Sequence, residues 1–259
     1  MKRPARKRFG QNFLTDSQVI RRITDTIAAR NGQLLIEIGP GRAAITRSLL
    51  DSGADILVVE IDRDLVRELE NRFGNHPRLQ IHNQDALKTD FGILAQGRAY
   101  RLVGNLPYNI STPLIFHLLG LQHPPVDMYF MLQKEVVKRM AAEPGNRDYG
   151  RLSIMCQNRC EVSPLFEIGP GCFDPMPKVD SGFVRLVPRA APLSGVALEP
   201  RLNRVVKQAF SLRRKTLRNS LSGLLDATQI RAAGVDPGQR AEQLNLDEFV
   251  ALAGRLAVS

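Results

Sequence analysis

With 259 residues and an ordinary apolar fraction of 43%, the chain can bury a real core and form one large domain plus a small one. A formal charge of +10 and a pI near 10.0 point to a polyanionic partner, nucleic acid before an anionic membrane. No apolar run approaches the ~18 residues of a membrane span, and Cys156, Cys160 and Cys172, in no metal-ligand spacing, fit buried thiols in a reduced cytoplasm with no metal expected.

Residues 1–8 are basic with no apolar stretch behind them and do not read as a secretory signal. Residues 18–29 read as a helix with Val19, Ile20, Ile23 and Ile27 on one face and Asp16 or Ser17 as N-cap. Residues 34–38 form an apolar strand broken only by Glu37, followed by a helix over 43–51. Further strands are expected at 56–61, 79–82, 100–103 and 128–132, with helices at 64–72 and at 112–121, where Pro113 suits a first turn. Residues 161–168 and 182–187 read as a closing antiparallel pair.

This alternation predicts an α/β, Rossmann-like domain over 1–187, a mostly parallel sheet with helices on both faces. Residues 188–200, with Pro188, Pro192, Gly195 and Pro200, read as a linker, and 201–259 as a small all-α domain. Ligands of such sheets lie beyond the C-terminal strand ends, so chemistry is expected just after Ile38, Ile61, His82 and Val103.

Glu37-Ile38-Gly39-Pro40-Gly41-Arg42 occupies the first of these turns. Gly39 and Gly41 permit backbone conformations and close approach that a Cβ would block, and a helix starting near Ala43 would aim free amides at a ligand. Gly39-x-Gly41-x-x-Ala44 also fits a dinucleotide fingerprint, with Glu60 placed to accept both hydroxyls of a ribose, so the turn alone fits NAD as well as S-adenosylmethionine. Asp85 can accept from an adenine amino group or cap a turn. Glu37 can face the cationic end of S-adenosylmethionine or be a hydrogen-bonded strand-end residue. Nothing downstream resembles a hydride-transfer pair, and His76, His82, His117 and His123 form no pattern.

Asn105-Leu106-Pro107-Tyr108 follows the fourth strand. Alone it fits a proline turn with Asn as a turn residue. At a strand's C-terminal end it also suits a flat base held by its amino edge. An exocyclic amine is a poor nucleophile because its lone pair is delocalised into the ring. The Asn105 side-chain oxygen and the Leu106 carbonyl can accept its two hydrogens and favour a more pyramidal nitrogen. Pro107 stiffens the turn, and Tyr108 can stack on the ring. A base inside a helix cannot reach such a pocket and must be unpaired or flipped out. In residues 173–181, Phe173 can stack on the opposite face of the base or belong to the core. Arg201, Arg204, Lys207, Arg213, Arg214, Lys215 and Arg218 form a run without an acid, and with Lys7 and Arg8 they suit phosphate contacts. A solvated helix face is the alternative.

Together these residues resemble the KsgA-type ribosomal RNA adenine dimethyltransferases. The likeness runs in order from Arg8-Phe9-Gly10-Gln11-Asn12-Phe13-Leu14 through the glycine turn, Val59-Glu60-Ile61-Asp62, residues 83–87 and Asn105 to Tyr108. It continues through Gln133-Lys134-Glu135-Val136, Tyr149-Gly150-Arg151-Leu152-Ser153, the 173–181 loop and the basic 210–221 stretch. The resemblance implies an S-adenosylmethionine-dependent methyltransferase domain and a small RNA-binding helical domain. It implies cofactor contacts from Asn12, Leu14, Gly39, Glu60, Asp85 and Asn105, beside the Glu37 and Gly41 already read from the first turn, and a target adenine held by Asn105 to Tyr108 with Phe173. It further implies dimethylation of two adjacent adenosines near the 3′ end of 16S rRNA in the 30S subunit, by a cytoplasmic monomer with RNA contacts from Lys7, Arg8, Arg213, Arg214, Lys215 and Arg218. The nearest alternative is the related group of large-subunit rRNA methylases that confer macrolide resistance. A non-catalytic RNA-binding assembly factor is the alternative of another class.

Overall fold

The computed structural model of the protein describes residues 11–257. In chain order the elements are β1 (Phe13–Leu14), α1 (Ser17–Ile27), β2 (Leu34–Ile38), α2 (Thr46–Asp51), β3 (Asp55–Glu60), α3 (Arg63–Phe73) and β4 (Leu79–Asn83). Next come α4 (Phe91–Leu94), β5 (Tyr100–Asn105), α5 (Ser111–Leu119), β6 (Met128–Gln133), α6 (Lys134–Met140), α7 (Arg151–Arg159), β7 (Cys160–Ile168), β8 (Phe173–Asp174) and β9 (Ser181–Pro188). The chain closes with α8 (Glu199–Ser211), α9 (Leu217–Ser220), α10 (Ala227–Ala232) and α11 (Leu246–Gly254).

Among the described residues, seven strands form one sheet in the order β4-β3-β2-β5-β6-β9-β7. β4, β3, β2, β5 and β6 run parallel, and β9 lies antiparallel to β6. β2 is buried along its whole length, as a central parallel strand covered on both faces must be. Asp16 caps α1 by accepting from the amides of Gln18 and Val19, both at 2.9 Å. Ile23 and Ile27 of that helix enter the core beside Leu35, Leu49 and Ile56.

The second helix starts later than its sequence suggests. Residues 41–45 form turns, Ala43 adopts φ 60°, and regular helix begins only at Thr46. The left-handed residues Gly41 and Ala43 cannot be part of a right-handed helix.

The domain division also differs from the expected one. The chain separates into a unit of 11–137 with 163–188 and a unit of 138–162 with 189–257. Within the second unit α7 packs on α8, with Arg159 paired to Glu199 and Arg151 donating to Asn203 at 3.1 Å. The segment expected as a linker is tied down there, since Ser194 N–H donates to the Asn158 side chain at 2.9 Å and Leu193 N–H to its carbonyl at 3.0 Å. Helix α8 takes in Pro200 in its first turn. Among the described residues no helix is long and apolar enough to cross a membrane.

Candidate active site

β2 lies between β3 and β5, and Ile38 pairs with Val59 on one side and Gly104 on the other. The three strands therefore end together, and the loops after them open on one edge. A Cβ on Gly104 would lie 2.5 Å from the Ile38 carbonyl, so only glycine lets β5 run that close to the first turn. A cavity at this edge is lined by Glu37, Gly39, Gly41, Glu60 and Asp85. Asn12, Leu14 and the stretch Asn105 to Tyr108 complete the same wall.

Gly39 (φ 65°) and Gly41 (φ 56°) both hold left-handed conformations. A Cβ on Gly41 would meet the Phe13 ring at 3.0 Å. Glu37 is buried, and its Oε2 accepts from Thr46 Oγ1 at 2.7 Å. Burial raises its carboxyl to about 7, against the Thr46 hydrogen bond and with help from the neighbouring Glu60 charge. Glu60 is also buried, and burial lifts its carboxyl above the usual range although the amides of Asp62 and Gly41 bind it. Asp62 N–H donates to Glu60 Oε1 at 2.9 Å. The two buried carboxyl groups, Glu37 and Glu60, give this largely apolar cavity acceptors that suit a ligand with hydroxyl donors or a cationic group.

Asp85 caps a short 3-10 turn, its Oδ1 accepting from Leu87 N–H at 3.0 Å while the residue still lines the cavity. Ile61 lines it too and is 47% exposed, a flat apolar surface beside Glu60. Asp62 accepts from Gln11, just before β1, with Gln11 Nε2 at 3.2 Å from its Oδ2.

At the end of β5, Asn105 Nδ2 donates to the Asn12 carbonyl at 2.9 Å. A carbonyl only accepts, so the amide nitrogen must face Asn12 and the side-chain oxygen must face away. Leu106 is buried and its N–H binds the Met131 carbonyl at 3.1 Å. Among the described residues the Leu106 carbonyl accepts no hydrogen bond. Pro107 closes the turn through its carbonyl, which accepts from Ile110 N–H at 3.1 Å. Tyr108 is half-buried and its hydroxyl lies 2.6 Å from Ser181 Oγ.

Phe173 departs from its expected place. It is 5% exposed, belongs to the hydrophobic core with Leu14 and Phe183, and is not part of the cavity wall. The reason is strand pairing: β8 lies antiparallel to β1, with Leu14 opposite Phe173 and Phe13 opposite Asp174. Arg42 braces this pair, stacking over Phe13 at 4.4 Å and reaching Asp174 at 3.7 Å.

In the second unit, Arg214, Lys215 and Arg218 are exposed and make no ion pair among the described residues. Arg213 does not share that freedom, since its Nε lies 2.8 Å from Glu242 and its guanidinium also bonds the Arg147 carbonyl. Lys7 and Arg8 lie outside the described residues.

Several lining residues had no role in the sequence reading. Ile61 follows an acid at a strand end, a position that signals a ligand platform. Tyr129 and Phe183 face the cavity from β6 and β9 with rings 5.9 Å apart, and strand periodicity alone gives them only a core role. Among the described residues, no group of three or more His, Cys, Asp or Glu is placed to hold a metal ion.

These groups fit S-adenosylmethionine. Glu60 can take a ribose, Asp85 an adenine amino group, Ile61 an adenine face, and the left-handed glycine turn a chain passing close to its backbone.

A family model described as ribosomal RNA adenine dimethylase matches residues 2–257. The chain is 58% identical over 256 residues to Ribosomal RNA small subunit methyltransferase A of Pseudomonas aeruginosa, covering 98% of this chain and 95% of that protein. It is 51% identical to the protein of the same name from Methylococcus capsulatus, over 99% of each. Among solved structures, a dimethyladenosine transferase from Plasmodium falciparum has the same fold, with a TM-score of 0.76 at 24% identity over 93% of this chain and 95% of that one. The 23S rRNA methyltransferase ErmE superposes with a TM-score of 0.72 at 27% identity, over 95% and 99%.

Proposed function

The chain belongs to the ribosomal RNA adenine dimethylase family, and we infer that it dimethylates N6 of two adjacent adenosines near the 3′ end of 16S rRNA, acting on the 30S subunit during its assembly. We further infer that it works as a monomer in the cytoplasm. When bound, S-adenosylmethionine supplies an electrophilic methyl group on a sulfonium.

The observation that carries this reading is the orientation of Asn105. With its nitrogen committed to the Asn12 carbonyl, its oxygen can accept one amino hydrogen of an adenine, and the Leu106 carbonyl the other. Both acceptors draw the lone pair out of conjugation with the ring and fix the amine for in-line attack. Tyr108 stacks on the base. Glu60, Asp85 and the Gly39–Gly41 turn hold the cofactor, with Asn12, just before β1, and Leu14 of β1 lining the same cavity. Phe173 acts from behind, by packing on Leu14, in place of the direct stacking expected of it. Arg214, Lys215 and Arg218, exposed cations of the second unit, contact RNA phosphates. The small-subunit substrate rests on the relatives at 51% to 58% identity, against 27% for the large-subunit enzyme.

The test offers the purified protein labelled S-adenosylmethionine with 30S particles lacking the modification, naked rRNA and 50S particles. Label in adenines of 30S particles alone is expected. Label in 50S particles alone would favour the large-subunit reading, and transfer to none of the three would refute the enzyme reading.

A further inference from the structure

We propose that Ser181 is a positioning residue for the target base, acting through the hydroxyl of Tyr108. The proposal rests on the reading of Tyr108 as the residue that stacks on that base.

Ser181 is fully buried and absent from the cavity wall, so it cannot itself touch a base held there. Its Oγ lies 2.6 Å from the Tyr108 hydroxyl, the only side-chain hydrogen bond either residue's hydroxyl makes among the described residues. The backbone beneath Tyr108 is already fixed. Its carbonyl accepts from Ser111 Oγ at 3.1 Å, and the turn is closed by the bond between Pro107 and Ile110. What remains free is rotation of the ring about its two side-chain torsions. A bond at the far tip of the ring removes that freedom, because the tip sweeps the largest arc.

The anchor is itself rigid. Ser181 opens β9 directly opposite Gln133 of β6. The residue before it, Asp180, accepts from Lys134 N–H at 2.9 Å through its carbonyl and lies 3.5 Å from Lys134 Nζ through its carboxylate. Lys134 Nζ is held in turn by Glu167 at 2.6 Å. The ring of Tyr108, on a loop, thus takes its orientation from the sheet. Pre-set ring orientation places the amine without an ordering cost at the moment of reaction. A tyrosine hydroxyl is neutral at physiological pH in any case, and burial raises that of Tyr108 further.

Four proteins test this: wild type, Ser181→Ala, Tyr108→Phe and the double variant, assayed for transfer to 30S particles and for S-adenosylmethionine affinity by calorimetry. Each single change should lower kcat by about 5–10-fold, the worth of one hydrogen bond. The KM for particles and the cofactor affinity should stay near wild type, and the double variant should be no slower than either single one. Multiplying losses in the double variant would place the action of Ser181 elsewhere and overturn the proposal. So would wild-type turnover in Ser181→Ala, or in Tyr108→Phe, which keeps the ring and tests the bond even if the serine variant fails to fold. A wild-type protein that transfers no methyl to 30S particles would overturn the functional reading, and this proposal with it.

Discussion

The Asn105 side chain donates its amide nitrogen to the Asn12 carbonyl across 93 residues of chain, at 2.9 Å. This contact turns an ambiguous amide into a defined one, with the oxygen left for a substrate. Asn105→Ala should reduce methyl transfer by about 10²–10³-fold, the usual cost of one preorganised polar group at a reacting centre, with particle binding retained. Asn105→Asp keeps an acceptor but sets a carboxylate oxygen against the Asn12 carbonyl, so it should fail as well. Turnover by the aspartate variant within a few-fold of wild type would show that the Asn12 contact does not orient the group.

Glu60 ends β3 with one oxygen held by the Asp62 amide. Glu60→Ala removes the ribose acceptor and should weaken S-adenosylmethionine binding by about 10²-fold, two hydrogen bonds to a charged group being partly offset by water. RNA binding, followed by filter retention at fixed salt, should not change.

Glu37 makes stability depend on pH. Its folded carboxyl sits at about 7, above the unfolded value of 4.5. Between those two values the folded chain holds a proton that the unfolded chain has lost, so the group's contribution is full below 4.5 and declines as pH rises through 7. The thermal midpoint of the free protein should therefore fall across that window. Glu37→Gln should flatten the fall, and equal slopes in the two proteins would contradict the assignment.

Arg214, Lys215 and Arg218 remain solvent-facing cations, whereas Arg213 is engaged by Glu242. Changing the first three to Gln should weaken RNA binding and reduce the slope of log K against log salt by about two to three. Arg213→Gln alone should leave the slope nearly unchanged and lower the thermal midpoint. Unaltered binding in the triple variant would make the run a solvated face.

Most of the sheet was legible because its strands are continuous apolar runs of the right length. Leu34–Ile38 appears with the expected bounds, and the strands ending at Glu60, Asn83, Asn105 and Gln133 lie within two residues of theirs. The cavity was legible for the same reason, since parallel strands fix which turns meet. What stayed hidden depends on distant pairing. Phe173 read either as a stacking residue or as part of the core, and the register of Leu14 with Phe173 places it in the core. The pairing joins two-residue strands that carry no periodicity. Residues 138–162 gave no sign of their partner, because their ties to Ser194, Glu199 and Asn203 span 36, 41 and 52 residues of chain. The start of α2 was misplaced because a left-handed alanine at position 43 has no sequence signature.

The most direct test of the whole account is nucleoside mass analysis of the 3′ segment of small-subunit rRNA after incubation of unmodified 30S particles with the protein and S-adenosylmethionine. Two adjacent N6,N6-dimethyladenosines with the wild-type protein, and neither with Asn105→Ala, is the expected result. Unmodified adenosines with the wild-type protein, or the same dimethylated pair with Asn105→Ala, would contradict it.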